Sequence, residues 1–500
     1  MEPALVLLVV VAAAWPIARL CLSPSYRRAQ PAVSLVLALL TLAWAGVGVA
    51  AALASPVTAL AMAALAATVL AARWWRARPS WGRARGLPPG SLTLGPPIGA
   101  FRDASFYLEQ ARLHGPIFKT GGFRRGQACV VGLAAGLELL RAHEADLAAP
   151  ALPFSRLIPR GFLRYMTNAD HDEYRRILRA AFTREVVAAN RAMMTAAARR
   201  HLERLAGDGA AAARPEGALT AMAFEVLIRL VYGLAADDPA CERIGQLYES
   251  LDHRRGHGSG MATTRRALAV LGEELRALGR DAARRAPASA LAAVVRADAQ
   301  ALADPTVVGN LVFIPRVAAN DLGDGLVWVM YMLARDPAWL EGVRTAAAPP
   351  DDLDSAGTDD LATRIVMETL RMQQSEYLVR RATADIAFRG FVIPRGWLVR
   401  VCVYESHRDP AVFRDPDAFD PDRFLARTYA RSEYAPLGGD RHACLGEHLI
   451  RALGRVMVRE LARGFDLALA DDGAPELGPL HWRPSRRFRV RLAPRQGGGR

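Results

Sequence analysis

The sequence is poor in cysteine and contains one lysine, Lys119. The cysteines are far apart and form no Cys-x-x-Cys pair, which argues against a structural zinc site and against a disulfide framework. They are Cys21, Cys129, Cys241, Cys402 and Cys444. Such spacing indicates reduced thiols in a cytosolic setting. The formal charge of +14 comes from scattered arginines, as in GC-rich bacterial genomes, and not from basic blocks, so we discount nucleic-acid binding.

Charged residues are also missing from long stretches near the start of the chain. Pro3 to Ala18 is apolar, and the Arg19 side chain can snorkel so that the segment extends to Leu22. Pro31 to Ala72 has no charge and is long enough for two spans of about 20 residues each. We therefore predict a membrane anchor over residues 1–78. Its transmembrane helices are expected at about 3–22, 32–54 and 56–73.

Basic residues flank these predicted spans. Arg27 and Arg28 lie between the first two spans, and Arg73, Arg76 and Arg78 follow the last one. Because positive charge is retained on the cytoplasmic side, we predict a multi-pass protein of a bacterial inner membrane with a cytoplasmic catalytic body. A cleaved signal peptide is the alternative, but no A-x-A-like cleavage site stands before a polar segment.

The rest of the chain combines many helical patterns with few strands. A Pro-rich segment, RARGLPPGSLTLGPPIG (Arg83–Gly99), disfavours helix, so residues 79–99 are predicted to form a semi-rigid linker. From Ala134 to Arg344 the hydrophobic spacing is mostly helical. We expect a mainly α body over residues 100–500 with small β-sheets.

Local patterns place the strands and one further helix. HGPIFKT (His114–Thr120) and ACVVG (Ala128–Gly132) predict a pair of strands. Short strands are predicted again from Thr383 to Val403, where RGFVIPRGW (Arg389–Trp397) is typical of a hairpin. CLGEHLIRALGRVMVRELARGF (Cys444–Phe465) has apolar residues at helical spacing and predicts an amphipathic helix.

One cysteine lies in a glycine-rich turn, LGGDRHACLG (Leu437–Gly446), directly before this helix. The helix dipole and the free backbone N–H groups at such a position stabilise a thiolate. Gly438, Gly439 and Gly446 let the backbone approach a flat or bulky group. The Cys444 thiolate could be a nucleophile, a redox thiol or an axial metal ligand. A buried structural cysteine is the fourth alternative.

At this turn the sequence resembles the cytochrome P450 family, the heme-thiolate monooxygenases, whose ligand loop usually reads F-x-x-G-x-R-x-C-x-G. This chain has Leu437 at the Phe position, Asp440 at the Gly position and His442 at the Arg position, followed by Cys444 and Gly446. The resemblance implies heme b with Cys444 as the proximal thiolate, which favours O–O cleavage. It also implies that His442 donates to a heme propionate.

Further family motifs follow in the expected order. ETLR contains Glu368 and Arg371, which share one helix face and can form an ion pair. ESHRDPAVFRDP (Glu405–Pro416) and FDPDRF come next, and the latter supplies Arg423. The resemblance implies that Glu368, Arg371 and Arg423 together brace the segment behind the heme.

The segment HDEYRRILRAAF resembles the family helix that holds the heme propionates. It nominates His171 and Arg175 as cofactor-binding residues, whereas the spacing alone fits an ordinary surface histidine. Arg380 is a further candidate for the same contact. The resemblance extends roughly from Leu87 to Leu492.

The predicted central helix departs from the family pattern. The family carries A-G-x-[D/E]-T above the heme, where an alcohol positions water and the acid and alcohol deliver protons. In NLVFIPRVAANDLGDGLVWVMYMLARDP (Asn310–Pro337), Asn320 aligns with the acid and Asp321 with the alcohol. Asp321 can relay protons itself, or Asn320 can hold a water. Arg316 either binds a substrate carboxylate, as in peroxide-using members, or points away from the pocket.

The patterns predict a P450-type monooxygenase that oxidises a lipophilic small molecule in biosynthesis. A separate ferredoxin or flavin reductase is expected to bring electrons to a basic face near Arg441 and Arg451, because nothing after Leu492 could hold a reductase domain. The altered central helix leaves rearrangement, oxidative coupling or peroxide-dependent oxidation as alternatives. A second alternative is a non-catalytic heme protein that acts as a sensor or as a partner of other proteins. A third alternative is a membrane thiol enzyme.

Overall fold

A computed structural model of the protein describes the following residues: 86–92, 98–101, 103–122, 125–149, 157–207, 209, 211–249, 261–346, 358–373, 378–477 and 482–495. The predicted membrane anchor, with its three spans, lies outside them. Within the described ranges, no helix combines the length and the apolar character that crossing a membrane requires.

Helices make up most of the described chain, which confirms the mainly α prediction. They are α1 (Phe106–His114), α2 (Leu133–Ala142), α3 (Asn168–Leu178), α4 (Arg184–Ala189), α5 (Arg191–Ala206), α6 (Pro215–Tyr232), α7 (Pro239–Glu249), α8 (Met261–Gly279), α9 (Ala282–Arg285), α10 (Ala290–Ala297), α11 (Pro305–Arg335), α12 (Pro337–Thr345), α13 (Leu361–Met372), α14 (Val403–Ser406), α15 (Arg423–Ala426) and α16 (Glu447–Gly464). The longest, α11, continues without a break through Pro315.

The strands are short. They are β1 (Ile117–Gly122), β2 (Arg125–Val131), β3 (Leu147–Ala148), β4 (Leu378–Ala382), β5 (Ile386–Phe388), β6 (Phe391–Ile393), β7 (Leu398–Cys402), β8 (Phe465–Asp471), β9 (Glu476–Leu477), β10 (Trp482–Arg483) and β11 (Arg489–Pro494). One sheet has the order β1-β2-β7-β4-β3, and the pairs β10-β9, β11-β8 and β5-β6 form separate two-stranded sheets. Small β-sheets were predicted and are confirmed.

The chain divides into two compact units. Among the described residues, the sheet unit comprises those up to 147, those of 378–405, and residues 477 and 482. The helical unit comprises the described residues of 148–373, 406–476 and 483–495. All long helices after α2 belong to the helical unit.

In the sheet unit, β1 and β2 pair antiparallel, with Ile117 opposite Val130, which confirms the predicted strand pair. The predicted linker contributes to this sheet, because the Lys119 N–H donates to the Pro89 carbonyl at 2.7 Å and Lys119 Nζ donates to the Pro88 carbonyl at 2.5 Å. The part of the predicted linker around Pro88 and Pro89 is therefore held against β1.

The predicted hairpin is present but begins earlier in the chain. It joins β5 to β6, with Ile386 opposite Ile393. Its two turn residues, Arg389 and Gly390, have φ of +47° and +82°. Two consecutive positive φ values match the right-handed twist of paired strands, so the turn forms at Arg389-Gly390 and the following Pro394 ends the second strand.

The helical unit is built around α11. Asp304 caps this helix by accepting from the Thr306 N–H at 2.6 Å, and Pro305 occupies its first turn. Helix α6 crosses α11 closely at Gly323, where a Cβ atom would lie 2.8 Å from the Thr220 Cα. Only glycine permits this approach, which places the α6 backbone against one side of α11.

Helices α13 and α16 are joined by a buried carboxylate. Asp360 caps α13 by accepting from the N–H groups of Ala362 and Thr363 at 3.3 and 3.2 Å. It also accepts from Arg455 Nε at 2.5 Å and from Arg459 Nη2 at 2.6 Å. Burial alone would raise the pKa of Asp360, but the two arginines of α16 hold it below its ordinary value. The Asp360 side chain thus caps the start of α13 and binds this helix to α16.

We predict that Asp360→Ala lowers the free energy of unfolding by about 3–5 kcal/mol, because it removes the cap and leaves the buried Arg455 without its carboxylate. Asp281→Ala, which breaks an exposed ion pair with Arg284, is the control and should change it by at most about 0.5 kcal/mol. Denaturant unfolding followed by circular dichroism measures both. Equal effects in the two variants would contradict the role of Asp360.

Candidate functional site

The Cys444 loop is a tight turn held by its own backbone. The Cys444 N–H donates to the Leu437 carbonyl at 2.9 Å, and the Ala443 N–H donates to the Asp440 carbonyl at 3.0 Å. Gly438 has φ of +89°, a conformation that side chains disfavour. Cys444 itself is exposed. The loop therefore presents its thiol outward, which excludes a buried structural cysteine.

The thiol lies at the N-terminal end of α16. The helix begins at Glu447, three residues after the predicted start at Cys444, and Gly446 is its N-cap. A Cβ atom at Gly446 would lie 3.8 Å from Cys444 Sγ. The helix dipole and the backbone of the first turn favour a thiolate at this position.

Helix α3 brings predicted cofactor-binding residues to the same loop. Arg175 Nη1 donates to the Ala443 carbonyl at 2.7 Å. The rings of His171 and His442 contact each other in a tilted arrangement, with 3.9 Å between their centroids and 39° between their planes. His171, Arg175, His442 and Cys444 are thus neighbours, although they come from segments far apart in the sequence.

Burial sets the charge of this group. It lowers the pKa of His171 to about 4, with the positive charge of Arg175 as the second cause, so His171 is neutral at pH 7. Burial also lowers the pKa of Arg175, and the nearby Cys444 thiolate opposes this effect. An arginine remains charged at all physiological pH values. Arg175 can therefore supply a cation and His171 a neutral hydrogen-bonding ring.

The predicted brace residues lie together in the core. Glu368 and Arg371 are fully buried and form a two-pronged ion pair, with Arg371 Nε and Nη2 each 2.8 Å from a Glu368 oxygen. Arg423 Nε donates to Glu368 Oε1 at 2.9 Å. The Asp420 N–H donates to the same oxygen at 3.0 Å. One carboxylate therefore pairs with two buried guanidinium groups and orders the segment around Asp420.

The remaining guanidinium hydrogens bind backbone carbonyls of the same region. Arg371 Nη1 donates to His407 O at 2.7 Å, and Arg423 Nη1 donates to Arg414 O at 2.8 Å. Both arginines also reach the Ala418 carbonyl at 3.2 Å. These bonds satisfy the buried donors and tie the irregular stretch between α14 and α15 to α13.

Helix α11 presents two half-buried stripes on different sides. Ile314, Ala318, Asp321 and Gly325 form one, and a Cβ atom at Gly325 would lie 3.5 Å from Ile450 Cδ1 in the first turn of α16. This thiol-side stripe lies near the end of α16 that carries the Cys444 loop. Arg316, Asn320 and Asp324 form the other, rotated by about 130° around the helix axis.

The second stripe lines a cavity of about 660 Å³ between α6, α7 and α11. Three acidic side chains, Glu216, Glu249 and Asp324, and two basic ones, Arg214 and Arg316, contribute to its wall. Asn320 also belongs to the wall. The three distal residues predicted as catalytic are therefore divided: Arg316 and Asn320 share this cavity, and Asp321 belongs to the thiol-side stripe.

Arg380 lies in β4 of the sheet unit, not in the helical unit. It is buried, and its Nη1 donates to the Val379 carbonyl at 3.0 Å. The other site residues named above belong to the helical unit. The contact of Arg380 with a heme propionate stays a prediction.

The helical unit fits a heme group. An exposed thiol stands at a helix start, and the small residues Ala318 and Gly325 line the neighbouring stripe of α11. His171 Nδ1 is buried and makes no hydrogen bond among the described residues; Asp172 Oδ1 lies 3.7 Å from it, and a polar group of a cofactor could supply the missing bond. No cluster of three or more His, Cys, Asp or Glu in the described ranges could hold a metal ion. A single thiolate with a cofactor that carries its own metal ligands matches this arrangement.

Comparisons with known proteins agree with this geometry. A family match to cytochrome P450 covers residues 324–482. Abscisic acid 8'-hydroxylase 3 of Oryza sativa subsp. indica is 26% identical over 417 residues, 76% of this chain and 81% of that protein. Putative cytochrome P450 135B1 of Mycobacterium tuberculosis is 28% identical over 208 residues, 40% of this chain and 44% of that protein. The retinoic acid-bound cyanobacterial CYP120A1 has a TM-score of 0.66 at 23% identity and covers 82% of this chain and 100% of its own.

A mainly helical body with small sheets and an exposed thiol at a helix start fits a heme-thiolate protein. The family match over residues 324–482 and the relatives support the cytochrome P450 family for this chain. It is a P450 monooxygenase, and its cofactor is heme.

Two features of the site escaped the sequence analysis. His407 contacts both the brace and the chain leading to the Cys444 loop, although only its place in a family motif was noted. Asp324 lines the same cavity as Asn320, and its position one turn later on the same helix face was the available signal.

We predict that Glu368→Gln lowers the free energy of unfolding by about 3–5 kcal/mol and reduces heme content, because Arg371 and Arg423 remain buried without a counter-charge. Denaturant unfolding and the ratio of heme absorbance to protein absorbance measure the two effects. Glu460→Gln is the matched control, since Glu460 is buried but pairs with the half-exposed Arg199. In this control, the free energy of unfolding should fall by about 1 kcal/mol or less, and the heme content should stay unchanged. A Glu368 variant no worse than this control would refute the brace.

Proposed function

We propose that the protein is a membrane-anchored P450 monooxygenase in which Cys444 is the proximal ligand of heme and Asp321 acts on the substrate side. The observation that carries the proposal is the placement of an exposed thiol at the start of α16, where α16 meets the Asp321 stripe of α11. When bound, a heme with a thiolate ligand supplies the activation of dioxygen and the transfer of one oxygen atom to a substrate.

The protein's own residues hold and orient the cofactor. Arg175 and His171 of α3, with His442 of the loop, form the group that would receive the propionates. The backbone bonds of Cys444 and Ala443 keep the thiol in one place. The buried brace of Glu368, Arg371 and Arg423 keeps the segment before the loop from moving.

Asp321 is the residue best placed to hold a proton on the substrate side. It lies on the thiol-side stripe with Ala318 and Gly325, whose small side chains leave room beside it. A carboxyl group can carry one proton or order a water at its oxygens. Asn320 and Arg316 line the cavity on the other face. This placement favours Arg316 pointing away from the Asp321 stripe and weighs against the peroxide-dependent alternative.

We further propose a lipophilic substrate and a multi-pass membrane location with the catalytic body in the cytoplasm. Two comparisons support an organic substrate. One relative is named for abscisic acid, and one structurally similar protein was solved with retinoic acid bound. The uncharged runs Pro3–Ala18 and Pro31–Ala72 support the membrane location. A membrane anchor would place the active site beside a substrate that partitions into lipid.

A separate redox partner is general in this family, and we propose that it docks near Arg441, Arg431 and Arg451. These side chains flank the thiol loop and the start of α16. Their charge is partly offset, because Arg441 Nη2 lies 3.1 Å from Asp172 Oδ2, and Arg431 and Arg451 lie 3.2 and 3.0 Å from Glu447. An electron carrier with an acidic surface fits this partly neutralised basic patch.

Carbon monoxide binding tests the thiolate assignment. We expect the reduced wild-type protein to absorb at about 450 nm with carbon monoxide, and Cys444→Ser to lose this band. Cys241→Ser, which changes a half-buried thiol away from the loop, should keep it. A band near 420 nm in folded wild-type protein, or an unchanged spectrum of the Cys444 variant, would overturn the assignment. Protein without any heme band would favour the membrane thiol enzyme.

The role of Asp321 is tested by product formation. We expect Asp321→Asn to keep the carbon monoxide spectrum and to lower product yield by about 100-fold, the usual contribution of a proton-transferring group. Mass spectrometry of metabolites from cells expressing each variant measures the yield. Asp324→Asn is the control on the cavity face and should retain most of the activity. Absence of product from the wild type as well would favour the sensor alternative.

A further inference from the structure

His407 connects the brace to the Cys444 loop, through its backbone carbonyl on one side and its imidazole ring on the other. Its carbonyl accepts from Arg371 Nη1 at 2.7 Å, and Arg371 is paired with Glu368. Its ring Nε2 accepts from the Ala435 N–H at 3.2 Å. The residue is fully buried. A continuous set of hydrogen bonds therefore leads from the buried ion pair to Ala435.

Ala435 belongs to the turn that leads directly into the thiol loop. Its carbonyl accepts from the Gly438 N–H at 3.1 Å. Two residues further on, the Leu437 carbonyl accepts from the Cys444 N–H at 2.9 Å. A shift of Ala435 would consequently move the backbone acceptors that hold Gly438 and Cys444.

The His407 ring is fixed by aromatic neighbours. It stacks on Tyr434 with 5.5 Å between centroids and 28° between planes, and its edge meets Phe413 at 5.8 Å. The Tyr434 hydroxyl donates to the Met367 carbonyl at 2.8 Å, which ties this ring to α13. The imidazole thus has one orientation, with Nε2 directed at Ala435.

We propose that His407 is a positioning residue for the heme-thiolate site: its neutral ring holds the Ala435 turn, and thereby the Cys444 loop, in register with the buried brace. The inference rests on the proposed function, in which Cys444 is the iron ligand. The side chain acts through Ala435 and touches no reacting atom.

The bond requires a neutral ring. Since Nε2 accepts from Ala435, its single proton lies on Nδ1. A second proton on Nε2 would place two donors face to face. The charged groups around it are Arg371 and Arg408, and its other titratable neighbour is Tyr434. Burial lowers the pKa of His407 to about 3, and the charges of Arg371 and Arg408 add to this effect.

The sign of the pH dependence follows from this lowered pKa. An unfolded or released histidine has a pKa of about 6.5. The released state therefore binds more protons than the native state between pH 6.5 and 3. Attachment of the loop is complete above this window and weakens as the pH falls through it.

Three variants of the full-length, heme-loaded protein test the proposal. His407→Phe keeps an aromatic ring but removes the acceptor, and His407→Gln keeps an acceptor and removes the titration. His201→Gln is the matched control, because His201 is also buried and bonded, in this case to Glu225 at 2.9 Å. The readouts are the reduced carbon monoxide spectrum between pH 7 and 4, amide exchange at Ala435, and thermal unfolding.

For His407→Phe at pH 7 we expect a ratio of 420-nm to 450-nm absorbance roughly 10-fold above the wild type, and Ala435 exchange faster by a similar factor, because a buried N–H loses its acceptor. His407→Gln should restore both at pH 7. Its acid conversion to the 420-nm form should begin about one pH unit lower than in the wild type. His201→Gln should resemble the wild type in spectrum and exchange, even where it lowers the unfolding temperature.

Two outcomes would overturn the proposal: a His407→Phe spectrum and Ala435 exchange equal to those of His201→Gln, or a glutamine variant as impaired as the phenylalanine variant. A wild-type protein without the 450-nm band would instead reject Cys444 as ligand. In that case the exchange at Ala435 still decides whether His407 holds the turn.

Discussion

The structure depends on one buried carboxylate. Glu368 is the counter-charge for Arg371 and Arg423 in a region without solvent, and an unpaired guanidinium there would cost several kcal/mol. Both arginines are paired with this carboxylate, and they use their remaining donors to hold the backbone between α14 and α15. This stretch has little regular structure, so side-chain donors take the place of helix or sheet bonds. Helix α15 and ten further residues lead from it to the thiol loop.

The arginine-rich composition of the chain has a structural use in the helical unit. A guanidinium group is always charged and offers several donors in a planar fork, which lets it reach backbone carbonyls and a carboxylate together. Arg371 and Arg423 do this in the brace, whereas Arg175 donates to one backbone carbonyl, that of Ala443 in the thiol loop. Lysine, with a compact ammonium group, could not bridge these acceptors in the same way.

The central helix separates two chemical environments. Close crossing at Gly323 places α6 on one side of α11, and α16 meets it on another side at Gly325. Asp321 and Asn320 are adjacent in the sequence but differ by about 100° around the helix. The carboxylate of Asp321 thus belongs to the thiol-side stripe, and the amide of Asn320 belongs to a charged cavity. This division is the basis on which we propose Asp321, and not Asn320 or Arg316, as the proton-carrying residue.

The sequence by itself determined the helix-rich class, the strand pair at β1 and β2, and the choice of Cys444, Glu368, Arg371 and Arg423, because hydrophobic period and motif spacing are local properties. It also aligned Asn320 and Asp321, but it could not assign them to different faces in contact with different helices. The link from His407 to Ala435 was hidden for the same reason, since the two residues are distant in sequence and meet through packing. Only the tertiary structure decided these contacts, because crossing positions and buried hydrogen-bond partners depend on which helices approach one another.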